Sequence, residues 1–70
     1  MNRLYVIHVK RPLRVNGRPL EGQVETLVRW VSADDARYAA RLGHSTHHEE
    51  TVSAVVIQAT GEHVPAECWR

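Results

Sequence analysis

Phenylalanine is missing from this 70-residue chain, and cysteine and methionine occur once each. A lone Cys68 closes no internal disulfide, so no cross-linked framework substitutes for a core, and a reducing cytoplasm is the expected setting. Long apolar runs are also missing: the longest is Ala54-Val55-Val56-Ile57, far short of the roughly 18 residues that a membrane helix needs. A soluble protein is expected. Met1 leads into a charged, strand-like segment with no apolar signal region, which argues against secretion. The sequence shows no Gly-rich phosphate loop, repeat, linker or low-complexity tract, so residues 1–70 read as one domain. A chain this short buries only about 60% of the surface exposed when unfolded. It has little room to shield an active site from water, and binding is expected rather than catalysis.

The formal net charge of +1 hides a gradient. Residues 1–20 carry Arg3, Lys10, Arg11, Arg14 and Arg18 with no acid, a segment charge of +5. Residues 21–42 set Arg29, Arg37 and Arg41 against Glu21, Glu25, Asp34 and Asp35, and residues 43–70 set Arg70 against Glu49, Glu50, Glu62 and Glu67. Such an asymmetry steers association with an acidic surface, or simply keeps a projecting hairpin solvated. Eight of the nine cations are arginine, whose planar fork suits bidentate carboxylate or phosphate contacts.

Leu4-Tyr5-Val6-Ile7-His8-Val9 is β-branched and aromatic and reads as a strand, with a second strand from about Val24 to Val31. Between them Asn16-Gly17 signals a type I′ hairpin turn. An uninterrupted register from Val15 opposite Arg18 places Val9 against Val24, Ile7 against Thr26 and Tyr5 against Val28 on one face. The other face then pairs His8 with Glu25 and Lys10 with Gln23. Pro12 and Pro19 cannot donate to a ladder, so the distal hairpin is expected to be irregular and to project as a basic finger.

Residues Ser32–Gly43 switch to helical signals: Ser32 as N-cap, Asp34 and Asp35 in the first turn, and Gly43 as the terminating residue. Ala33, Ala36, Ala39 and Ala40 form a small-residue stripe that lets the helix lie close against a sheet, flanked by Tyr38 and Leu42. His44–Glu50 is polar and unpatterned, hence a loop. Thr51–Thr60 reads as a strand buried on both faces at the centre of the sheet, and His63–Trp69 as a short edge strand interrupted by Pro65. The expected class is α+β, a small antiparallel sheet of three to four strands with one helix on one face, in ββαββ order.

No constellation reads as catalytic, metal-binding or cofactor-binding. His44, His47, His48, Glu49 and Glu50 include zinc-ligand types, but they share a loop, lack a Cys pair and lack a second His at zincin spacing. Histidines there can instead add positive charge near neutral pH. His8 and Glu25 resemble an acid–base pair only as a solvated cross-strand contact, with no nucleophile nearby. Cys68 has no activating base in sequence and reads as a small packed hydrophobe. Trp30 is expected mainly in the core, while Trp69 serves equally as core or as binding anchor.

The phrase Val31-Ser32-Ala33-Asp34-Asp35-Ala36-Arg37-Tyr38-Ala39-Ala40 between two strands looks like one common in small phage and mobile-element proteins. The layout resembles the compact single-helix anti-CRISPR proteins that block type I surveillance complexes, with an N-terminal first strand, an Ala-rich central helix and a C-terminal hairpin ending near a Trp. The resemblance implies a non-enzymatic inhibitor in the host-cell cytoplasm that occludes a protein partner. The partner-binding residues expected are Arg11, Arg14 and Arg18 on the finger and Glu49 and Glu50 on the loop. The alternatives are a nucleic-acid-binding or regulatory protein using the basic 10–18 hairpin, and a subunit that dimerises through an open sheet edge.

Overall fold

A computed structural model describes all residues from Met1 to Arg70. Asn16 and Gly17 both adopt positive φ, 53° and 80°, and turn β1 (Arg3–Val15) into β2 (Arg18–Ala33) with Val15 opposite Arg18, as expected. The uninterrupted register does not survive beyond the turn. Arg14 pairs with Pro19, but the next pair is Pro12 with Val24, so Leu13 alone faces Leu20–Gln23. Gly22, at φ 75°, accommodates this bulge. From there Lys10 lies opposite Thr26, Val9 opposite Leu27, Ile7 opposite Arg29 and Tyr5 opposite Val31. The shift of three residues is odd, so it exchanges the two faces of β2. Leu27, Arg29, Val31 and Ala33 now share a face with Tyr5, Ile7 and Val9. Val24, Val28 and Trp30, 63%, 40% and 63% exposed, occupy the other. Trp30 is therefore not a core residue, and His8 lies opposite Val28 rather than Glu25.

β1 is the central strand, in the order β2-β1-β3, and both ladders are antiparallel. β3 (Thr51–Ile57) is an outer strand in which only Val55 is fully buried, which corrects the expectation of a central strand buried on both faces. A register shift between His8 and Val9 leaves Ser53 outside the pairs His8–Ala54 and Val9–Val52, and the Ser53 hydroxyl donates to the His8 carbonyl (3.2 Å). The expected fourth strand is replaced by a single bridge, Val56 with His63, and a short 3-10 turn, Ala66–Cys68. Trp69 then folds into the core and donates its indole N–H to the Val64 carbonyl (3.2 Å), while Cys68 is exposed rather than packed. The order is ββαβ, in the α+β class.

The helix α1 (Ala36–Gly43) is shorter than its sequence signals suggest, because Ser32 and Ala33 still pair with Leu4 and Arg3 in the ladder. Asp35, not Ser32, is the N-cap, its carboxylate accepting from the Tyr38 N–H (2.8 Å). A helix of this length is marginal alone and depends on docking. Ala33, Ala36, Ala39 and Ala40 are all buried against Tyr5, Ile7, Val9, Val55 and Trp69, so the alanine stripe performs the close approach read from it. Gly43 completes that approach. A Cβ placed there would lie 2.8 Å from Ile7 Cγ1 and 2.9 Å from Ile7 Cβ, both inside contact distance.

The substitution Gly43→Ala separates close packing from helix propensity. At an ordinary helical position alanine stabilises by about 1 kcal/mol. Against Ile7 the overpacking cost of about 1–3 kcal/mol is expected to dominate. Urea unfolding should show a lowered midpoint; a raised midpoint would contradict the contact.

Candidate functional site

The helix covers the sheet only at its proximal end, and the hairpin runs on beyond it, giving an overall shape of 41 × 20 × 19 Å. On the helix-bearing side of this projection, Arg11, Pro12, Arg14 and Glu25 meet His47 and His48 around an open cleft of about 520 Å3. The basic hairpin and the histidine segment, separate features in the sequence, thus form one surface. Arg11 lies across the ladder from Glu25 and its Nε donates to the Glu25 carboxylate. Arg14 has no carboxylate partner; its guanidinium reaches the Gly17 carbonyl at 3.3 Å. Arg18 lies at the exposed tip, outside the cleft lining. His47 and His48 sit on a 3-10 turn, Thr46–His48, with their rings 5.0 Å apart in edge-to-face geometry.

An ion pair between the buried Glu50 and the half-buried Arg29 holds that turn in place. Glu50, expected among the exposed partner-binding charges, is 5% exposed and lies beneath the turn. The Arg29 guanidinium engages its carboxylate as a fork, Nη1 to Oε1 and Nη2 to Oε2 (2.6 Å), while the Ser45 N–H donates to Oε1 (2.9 Å). Arg29 also donates to the Gly43 carbonyl (2.8 Å), and the His44 ring nitrogen Nε2 bonds the Glu50 carbonyl (2.6 Å). One carboxylate therefore ties the end of α1, the turn and β2 together. Glu49, at φ 56°, remains exposed and is the loop acid free to meet a partner. Arg29 was not among the sequence candidates. Its only signal was a charged residue between Leu27 and Val31, which becomes informative once the correct face of β2 is known.

The hydrogen bond and charge of Arg29 hold the Glu50 carboxyl down to about 2, against the opposing cost of burial, with the Ser45 N–H assisting. No three His, Cys, Asp or Glu side chains converge as metal ligands, and the His44 ring is turned onto the Glu50 carbonyl, away from His47 and His48. The cleft lining brings the guanidinium groups of Arg11 and Arg14 and the His47 and His48 rings together with one carboxylate, Glu25, which Arg11 already engages. Comparison with protein-family models, curated proteins and solved structures gives no match.

Because the folded Glu50 pKa lies below its ordinary value of 4.5, the pair stabilises the fold above that pH and loses its contribution as pH falls toward 2. Chemical denaturation across the acid range, from about pH 6 down to about pH 2, should show this decline, and Glu50→Gln should flatten it. At neutral pH the substitution should cost about 2 kcal/mol, less than a fully buried pair because Arg29 remains a third exposed. An unchanged slope would show that another group controls acid unfolding.

Proposed function

We propose that this chain is a non-enzymatic interaction protein that covers an acidic surface of a protein partner with its projecting hairpin and the cleft at its base. The observation that supports this reading is the convergence of Arg11, Arg14, His47 and His48 on one open surface, with Arg18 beyond it at the tip. Arginine contacts with carboxylates combine directionality with charge, and an electropositive projection speeds encounter with an acidic partner. Inhibition of a type I CRISPR surveillance complex by occlusion is the specific form implied by the layout resemblance. Arg11, Arg14 and Arg18 are the proposed anchors, with Glu49 at the rim; Glu50 acts instead by holding the turn.

The second reading is a nucleic-acid-binding or regulatory protein, favoured by the same cations because phosphate oxygens suit them equally. Affinity capture from a nuclease-treated lysate of a CRISPR-bearing bacterium distinguishes the two. Surveillance-complex subunits retained after nuclease are the expected result, and Arg14→Ala or Arg18→Ala should each weaken their binding by more than about 2 kcal/mol if that residue is an anchor. Changes below about 0.5 kcal/mol at all three arginines would remove the hairpin from the interface. Nucleic acid captured alone, with a steep salt dependence, would replace the first reading with the second.

A further inference from the structure

The sheet has two outer strands, one covered over its C-terminal half and one without a neighbour along its whole length. Beyond β3, the Val64 N–H donates to the Val55 carbonyl (2.8 Å) and the Ile57 N–H to the Glu62 carbonyl (2.9 Å), so the C-terminal segment occupies that edge over Val55–Ile57 and leaves only a short stretch of β3 open. β2 has no neighbour on its outer side. In an antiparallel strand every second residue directs its N–H and C=O outward, so an uncovered edge offers a ready ladder. Backbone devices that blunt such edges are confined to the distal end of β2, where Pro19 lacks an N–H and the bulge around Gly22 breaks the pairing. From Gln23 to Val31 the ladder is regular, and its two charges, Glu25 and Arg29, are of opposite sign, so they repel a like strand only in registers that set like against like.

We infer that the β2 edge pairs with β2 of a second copy of this chain, antiparallel and centred on Leu27, joining two sheets into one of six strands. A two-fold axis normal to the sheet sets a residue opposite itself and keeps both helices on one side. The charges select the centre. With Leu27 opposite Leu27 of the second copy, Glu25 faces Arg29 twice. Val24 then faces Trp30 twice and Thr26 faces Val28 twice. No like charges meet between Gln23 and Val31. Centring one residue away, on Thr26 or Val28, puts Glu25 opposite Leu27 or Val31 and loses both opposite-charge pairs. Glu25 and Arg29 side chains are each about a third exposed beside their existing partners, 34% and 35%, so each has room for a second, opposite charge. The pairing also sets the exposed Val24 and Trp30 side chains against each other, which buries apolar area along the seam.

Sedimentation equilibrium of the full chain across the micromolar range should give twice the 8.0 kDa chain mass. The double substitution Thr26→Lys, Val28→Lys sets lysines opposite lysines at the centre, on positions exposed in one copy, and should halve that mass while circular dichroism stays unchanged. In a Cys68→Ser background, Thr26→Cys with Val28→Cys should oxidise to a covalent dimer. A single-chain mass for the native protein would overturn the inference, as would a dimer that survives the lysine substitutions or that fails to cross-link at these positions. None of these readouts depends on the proposed acidic partner, so either reading can fail alone.

Discussion

Everything distinctive in this molecule depends on the one-against-four bulge that sets Leu13 opposite Leu20–Gln23. Because side chains alternate along a strand, a slip of three residues does what a slip of one does and exchanges inside for outside. Arg29 is thereby carried beneath the end of α1, where Glu50 meets it, and Trp30 is carried to the open face. Without the slip, Val24, Thr26 and Val28 would line the core, and Glu50 would lie buried without its counter-charge. An unpaired buried carboxylate is costly enough to expel the turn that carries His47 and His48.

The thin core explains why backbone proximity matters so much here. Only Ile7, Val9 and Val55 are large side chains fully removed from water. Alanines on α1 and the missing Cβ at Gly43 bring the helix backbone down onto the sheet, which replaces side-chain volume with close contact. Trp69 supplies the remaining apolar mass from the C-terminal segment, with its polar atom satisfied by Val64. The opposite face of the sheet has no such cover: Leu4, Val24, Val28 and Trp30 are exposed there.

Much of this was legible in the residue pattern, and the misses share a cause. The Asn16-Gly17 turn, the two strands it joins, the alanine stripe and the projecting basic hairpin follow from local rules about φ, alternation and small residues. The slip does not. Gly22 flanked by Glu21 and Gln23 carries no signal strong enough to override an uninterrupted register that also segregates polar from apolar pairs. On the uninterrupted register Trp30 lies on the core side and Arg29 on the open face, whereas the slip exchanges them. Likewise, the run Ala54–Ile57 is apolar throughout, yet Ala54 and Val56 face the uncovered side of an outer strand. Burial of such a run is decided by what else the chain has available to cover it. Of the candidate site, Arg11 and Arg14 were visible as charge, but their meeting with His47 and His48 depends on Arg29 and Glu50, a contact 21 residues apart in sequence.

The central claim is the shifted register, and cross-strand nuclear Overhauser contacts in isotopically labelled protein read it directly. The account predicts contacts joining Val6 with Trp30, Ile7 with Arg29 and Val9 with Leu27. Contacts joining Ile7 with Thr26 and Val9 with Val24 would contradict it, and would return Trp30 to the core and separate Arg29 from Glu50.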